Sequence, residues 1–447
     1  MVEHAERRRR PSNWIVAAGA LTALVLASLM ASCQDGADAQ VVTVADAAAP
    51  LPREVTEAPA DRWTRFRGPL GSGVAQLDEL PLTWDAATGE GIVWQTELPL
   101  PGANSAIVFG DRLFVTGADE DRREVYCLDA HTGELLWTVP VAEGEDCPVE
   151  RVHGMTGYAA PTGATDGERI YECFPTGHVL ALDFDGNALW ERRFDFSEDI
   201  YGHASSLVLH GELLYVQIDL GKPDIGESHM VALDRATGET VWDIARPVQG
   251  SWTTPIVIDA NGREELVTSA KPWVIAYDPA TGEEFWRVRC IEGDSAPSPI
   301  FANGRIYVAN IYAELTAILP GGSGDVTDTH VDWSVRGQFP DMASPLSNGE
   351  LVWTLHTSGV LSCFDAGTGE EQYAERLAPR FRASPSLVGE RVYLTGEAGE
   401  GLVLSAGREF EQVGGGSFGE DVYATPSFAH GRMYVRGTGH VFCMGED

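Results

Sequence analysis

One turn recurs along this chain, and it restricts the possible fold more than any other feature. A run of apolar residues ends in Asp, two residues follow, then Thr-Gly-Glu, two more residues and an aromatic. It reads Asp129 to Trp137 around Thr132-Gly133-Glu134, and returns at Asp234 to Trp242, Asp278 to Trp286 and Asp365 to Tyr373. Repetition of this kind marks an architecture stacked from one small unit. The residue types suit a tight turn between strands: Asp accepts backbone N–H bonds, Thr adds a hydroxyl bond, and Gly takes a conformation closed to other residues. The aromatic that follows can fill the gap between neighbouring sheets, where a large ring buries about 150–250 Å². Trp137, Trp190, Trp242, Trp286 and Trp333 are predicted to be equivalent docking residues, with Tyr373 and Phe410 replacing them later in the chain.

A second motif opens each unit: Ser, Thr or Ala before Pro, an apolar pair, a Gly near a turn, then an apolar residue and an aromatic. Copies begin at Ala160-Pro161, Thr254-Pro255, Ser298-Pro299, Ser344-Pro345, Ser384-Pro385 and Thr425-Pro426, and two without Pro begin at Ser105-Ala106 and Ser205-Ser206. Their second positions lie 55, 45, 49, 44, 46, 40 and 41 residues apart. Units of that length with four short strands each are the size of propeller blades. The expected fold is therefore all-β, an eight-bladed β-propeller of four-stranded antiparallel blades, over residues 61–447. The last unit stops after Val441-Phe442-Cys443-Met444 without its turn and outer strand, whereas Asp85 to Trp94 supplies a turn and strand with no unit of its own. That N-terminal strand should complete the final blade and close the ring, leaving no exposed sheet edge there. Seven blades, with the unit around Phe410 irregular, is the alternative.

The Ala-Leu-Asp-x-x-Thr-Gly-Glu-x-x-Trp run at Ala232 to Trp242, with the opening Trp63-Thr-Arg-Phe-Arg-Gly-Pro and the later Trp84-Asp85, resembles the pyrroloquinoline-quinone-like β-propeller repeat family. That family includes BamB-like assembly lipoproteins and quinoprotein dehydrogenases. The resemblance covers residues 63 to 444 and implies two functions. The first is a tethered, non-catalytic propeller of the cell envelope that binds or scaffolds protein, peptide or glycan partners, as a monomer or within a hetero-complex. The alternative is a quinone-dependent dehydrogenase acting on an alcohol or sugar, which would bring PQQ and Ca²⁺. In that family adjacent disulfide-bonded cysteines cover the quinone, a Trp supports it and an Asp lies beside the Ca²⁺. This chain has no adjacent cysteines and no haem motif; Trp252 and Trp273 could form an aromatic floor, and Asp294 or Asp341 could face the axis.

Residues just before each inner strand should surround the central channel. That layer is predicted to contain Asn104, Tyr158, His203, Trp252, Asp294, Met342, Arg382 and Tyr423. A ring of mixed aromatics, charge and amide can grip a peptide, glycan or small ligand. No catalytic set accompanies it: His203 has no Ser nucleophile and carboxylate at a recognisable spacing, and neither His153 nor His178 belongs to a metal-ligand cluster. No cofactor and no metal are expected from the residues themselves.

The N-terminus has a different character. Arg7 to Arg10 precede the apolar stretch Trp14 to Met30, and Ala31-Ser32-Cys33 follows. A basic stretch, an apolar core and small residues at a cut describe a secretory signal over residues 1–32. With Cys33 next, the segment resembles a bacterial lipoprotein signal whose Cys33 is acylated. An ordinary signal peptide and an uncleaved anchor are the other readings. Residues 33–60 have no aromatic and too little apolar area to offset the entropy of ordering, so they read as a flexible tether. The predicted location is periplasmic or extracytoplasmic, lipid-anchored to a membrane. The formal charge is −36, and loss of residues 1–32 removes four Arg and two Glu, leaving −38. Such a surface is repelled by phosphate backbones, which argues against nucleic acid as a partner. The six remaining cysteines are widely spaced, without a metal-type pair; Cys147 with Cys173 is one conceivable disulfide, while Cys127, Cys363 and Cys443 read as small core residues.

Overall fold

The computed structural model describes residues 60–445, except 78, 145–146, 148–151, 197–198, 200 and 222–226. The expected secretory signal, Cys33 and the expected tether up to residue 59 lie outside the described residues. Within them are eight sheets, each built on four antiparallel strands, and three carry additional strands. In the first sheet Ile107–Phe109, Arg112–Ala118, Arg122–Asp129 and Leu135–Glu143 pair in chain order. In the last, Ser427–Ala429, Arg432–Arg436 and His440–Met444 are completed by Ile92–Glu97, with Trp94 opposite Cys443. The N-terminal strand thus takes the outer place its unpaired turn foretold.

Apolar packing lies between neighbouring sheets. Ile107 and Phe114 of the first sheet bury against Ile170, Leu180 and Leu182 of the second, whose Tyr171 and Val179 bury against Leu214 and Leu233 of the third. Asp129 Oδ1 accepts from the backbone N–H of His131 at 2.9 Å and of Thr132 at 2.8 Å, and from the Thr132 hydroxyl at 3.1 Å. Every outer strand then carries a β-bulge at one place. Cys127 faces Trp137 while Leu128 faces Leu135, and the same shift occurs beside Trp94, Trp190, Trp242, Trp286, Trp333, Tyr373 and Gly414. An extra residue bends the strand and re-aims the side chain beside it. A small residue stands opposite each of the seven rings, Ala181, Ala232, Ala276, Ala317, Cys127, Cys363 and Cys443, so three of the cysteines are indeed small core residues.

Five tryptophans reach the next sheet. The indole N–H of Trp94 donates to Ala130 O at 3.2 Å, Trp137 to Phe184 O at 2.9 Å, Trp190 to Arg235 O at 3.0 Å, Trp242 to Pro279 O at 3.2 Å and Trp333 to Ala366 O at 3.1 Å. Trp286 departs from the predicted equivalence: its N–H donates to Glu265 Oε2 of its own sheet at 2.9 Å. The following sheet has Leu319 where the receiving turns have Asp, and Gly324–Asp325 instead pairs alongside Glu284–Arg289. Phe410 also differs from expectation. The seventh sheet has Gly414 at the aromatic position, and Phe410 packs edge-on against Tyr373 at 5.9 Å. Leu82 and the added strand Thr83–Asp85 cover this face: a Cβ at Gly414 would lie 2.2 Å from Leu82 O, and one at Gly416 would lie 2.5 Å from the Trp84 ring. Cys147 and Cys173 are both free, so the conceivable disulfide is absent.

The inner strands share one register. Backbone N–H groups donate from Ser105 to Thr162 Oγ1, Thr162 to Ser206 Oγ, Ser206 to Thr254 Oγ1, Thr254 to Ser298 Oγ, Ser298 to Ser344 Oγ, Ser344 to Ser384 Oγ and Ser384 to Thr425 Oγ1, all between 2.9 and 3.0 Å. These residues form a hydroxyl belt, and each inner strand starts two residues after its belt member. The belt corrects the alignment of two units: Thr162 and Ser206 occupy the places assigned to Ala160 and Ser205. Pro161 precedes the belt residue where the other prolines follow it.

Candidate functional site

The belt encircles a cavity of about 380 Å³ at one end of the axis. All eight belt residues line it, and so does the residue two positions before each: Ala103, Ala160, Ala204, Trp252, Ala296, Met342, Arg382 and Tyr423. Half of this layer is alanine and half is large. Connecting loops add Tyr201, Asp294, Asp341 and the 71 % exposed Tyr312.

Five of the eight predicted layer residues face this cavity: Trp252, Asp294, Met342, Arg382 and Tyr423. Three do not. Asn104 is buried one position too close to the strand, where its amide donates to Thr116 O at 2.9 Å and Ala159 O at 3.0 Å. Tyr158 lies under the Arg123 guanidinium, 4.7 Å from its ring centre. His203 stacks on Phe196 at 4.1 Å, and burial pulls its pKa down to about 4. The alanines and Phe66 were missed. Counting two residues back from each belt hydroxyl would have found the alanines; nothing local marks Phe66. Trp273 is also elsewhere, flanked by Arg287 and Arg289 at 5.2 and 5.5 Å.

The larger side chains are held in place. Trp252 donates its indole N–H to Asp199 Oδ1 at 2.9 Å and meets Tyr201 edge-on at 4.9 Å. Burial pushes the Asp199 carboxyl up to about 6 against the opposing effect of that N–H. Arg382 donates to Glu397 Oε1 at 2.8 Å and lies 4.5 Å over the Tyr423 ring, whose hydroxyl donates to Asp421 at 3.1 Å. Asp341 accepts from the Thr357 hydroxyl and from its backbone N–H at 3.2 Å.

Below the belt, the segment 62–75 crosses the axis. Arg62–Trp63 pairs with Ile107–Phe109 of the first sheet, and Val74–Ala75 runs parallel to Ser386–Val388 of the seventh. Phe66 faces the cavity, while Arg65 and Arg67 turn to the strand starts. Arg65 Nη2 donates to Pro255 O at 2.8 Å, and Arg67 donates to Pro345 O at 2.7 Å and Pro385 O at 3.3 Å. Each of these prolines directly follows a belt residue. Burial lowers both guanidinium pKa values, to about 10 for Arg65 and about 9 for Arg67. Among the described residues no group of three His, Cys, Asp or Glu is placed to hold a metal ion.

Residues 74–216 and 226–354 match the PQQ_2 family, described as outer membrane protein assembly factor BamB. The chain belongs to this family. Within it the similarities divide. Polyvinylalcohol dehydrogenase of Sphingopyxis sp. is 25% identical over 307 residues, which cover 56% of this chain and 44% of the relative. BamB of Alkalilimnicola ehrlichii is 28% identical over 173 residues, 37% of this chain and 38% of the relative. The chain thus spans less than half the length of either. Among solved structures, quinohemoprotein alcohol dehydrogenase from Comamonas testosteroni superposes with a TM-score of 0.67 at 14% identity, covering 87% of this chain and 82% of that one. BamB from Moraxella catarrhalis gives 0.58 at 17%, covering 79% and 99%. At such identities the superpositions establish the fold, a β-propeller.

Proposed function

We propose that this PQQ_2 propeller is a non-catalytic binding protein of the cell envelope, which grips a segment of a peptide or glycan partner in its axial cavity. The observation that carries this reading is the layer above the belt. Eight positions equivalent in the fold hold Trp, Met, Arg, Tyr and four alanines, an asymmetric surface that repetition alone does not require. A concave site with aromatic faces and a few fixed polar groups is the usual form of a ligand pocket. Export and acylation at Cys33 belong to the same proposal, and the intact mass of the mature chain tests them.

The test of binding uses the indole of Trp252. Titration of the full chain with envelope-derived peptides and oligosaccharides should produce a saturable fluorescence change, and calorimetry should show the binding lost in Trp252→Ala and weakened in Arg382→Ala. A response unaltered by both substitutions would place binding elsewhere and defeat the proposal.

The dehydrogenase reading draws support from the names of two relatives and from Trp252, Asp294 and Asp341 sharing the cavity. The residues present do not fit PQQ and Ca²⁺ well. Asp341 is engaged by Thr357, the cavity's cation Arg382 is paired with Glu397, and all six described cysteines are free. Incubation with PQQ and Ca²⁺ followed by a dye-reduction assay with alcohols and sugars distinguishes the two readings, because only the enzyme turns over.

A further inference from the structure

The belt has more hydrogen-bond donors than the protein can satisfy. Seven of its hydroxyls each accept one bond from a neighbouring amide, which occupies a lone pair and leaves the hydroxyl proton free. Among the described residues none of these seven donates its own proton to a protein acceptor. The eighth, Ser105, is 3 % exposed, lines the cavity, and its Oγ has no partner. Leaving such a group unsatisfied costs about 1–3 kcal/mol.

Positive charge lies on the other side of the same ring. Arg65 is 9 % exposed and Arg67 is fully buried, and both donate to backbone carbonyls; among the described residues neither forms an ion pair with a carboxylate. Arg65 Nε is buried without any partner. Two buried cations without a counter-ion are costly, and the field they set up attracts negative charge. The cavity's acids are on the far side: Asp294 and Asp341 precede their belt residues by four and three positions, whereas the arginines meet carbonyls one position after it. Two carboxylates thus stand above the belt, with Arg382 in the layer between paired to Glu397, and two guanidinium groups without carboxylate partners lie at the belt itself.

We infer that the belt is an anion site, which holds a small monovalent anion or the carboxylate end of a ligand between the hydroxyl protons and the field of Arg65 and Arg67. This deepens the cavity reading by naming the chemistry at its base. It remains separable from that reading, because a free halide can occupy the belt whether or not a peptide or glycan enters above it. Hydroxyl donors and oriented dipoles strengthen toward a charged acceptor, and each such bond contributes about 1.5–3 kcal/mol.

The experiment uses the full chain with bromide and acetate as probes. Crystals soaked in sodium bromide should show an anomalous peak on the axis within hydrogen-bond reach of the belt hydroxyls. Calorimetry at constant ionic strength should give saturable binding of bromide if a free halide is the occupant, and tighter binding of acetate if the site reads carboxylates. Ser105→Ala removes a hydroxyl that has no protein partner, so the fold should be undisturbed and anion affinity should fall about tenfold. Arg65→Met should abolish binding. If that variant fails to fold, Ser105→Ala still decides. A belt free of anomalous density, or an affinity unchanged by Ser105→Ala, overturns the inference; loss of the Trp252 response with anion binding intact defeats only the cavity reading.

Discussion

At the rim, five tryptophans share one task, whereas on the axis equivalent positions share none. Trp94, Trp137, Trp190, Trp242 and Trp333 each donate an indole N–H to a carbonyl of the following sheet. The axial layer places Trp252 beside Ala204, and Arg382 beside Met342, at positions that differ only in which sheet they belong to. Repetition at the rim reflects one packing problem solved many times. Divergence on the axis leaves the fold unaffected and differentiates a surface, and for that reason the axis is where function is assigned.

The largest test of this contrast pairs two tryptophans. Trp94→Ala should cost about 3–5 kcal/mol in urea unfolding, the usual result of truncating a buried aromatic. Trp252→Ala, half-buried on the cavity, should cost no more than about 1 kcal/mol while removing ligand response. Equal losses would erase the distinction between rim and axis. A smaller effect separates the turn from the wedge. Gly133 has φ 73° and its Cβ would lie 2.5 Å from the Trp94 ring, while Gly89 has φ 82° with open space. Gly89→Ala should cost about 1 kcal/mol for the left-handed backbone alone, and Gly133→Ala about 3 kcal/mol. If the two match, the Trp contact contributes nothing to the interlock.

The smallest effect lies on the axis and is read by pH. The Asp199 carboxyl is pushed up to about 6, above the ~3.9 of an unfolded Asp. Between those values the folded chain binds more protons than the unfolded one, so this group's contribution to stability falls as pH rises through the window. Trp252 fluorescence should titrate near pH 6, and Asp199→Asn should flatten that titration. A titration that persists in the variant would detach Trp252 from Asp199.

Much of the rim is readable from adjacent residues. Asp129, Thr132, Gly133 and Trp137 lie within nine positions, and their bonds are local. Where the pattern weakened, the reason was distant: the seventh sheet has no ring at Gly414 because Leu82, far away in sequence, places its carbonyl 2.2 Å from where a Cβ would stand. Axial residues were legible only where Ser/Thr-Pro was intact. Trp252, Met342, Arg382 and Tyr423 were found from Thr254, Ser344, Ser384 and Thr425, whereas His203 and Tyr158 were misplaced because Ser206 lacks the Pro and Thr162 follows one.

Sequence alone determined the repeating unit, the all-β class and the strand that completes the last sheet, because each follows from short-range hydrogen bonding and from one turn left without a partner. Tertiary structure decided what faces the axis. The belt joins residues 40 to 57 positions apart, and Arg67 meets Pro385 across 318. Contacts over such distances depend on loop lengths and on how sheets pack around a centre, neither of which is present in any local run of residues.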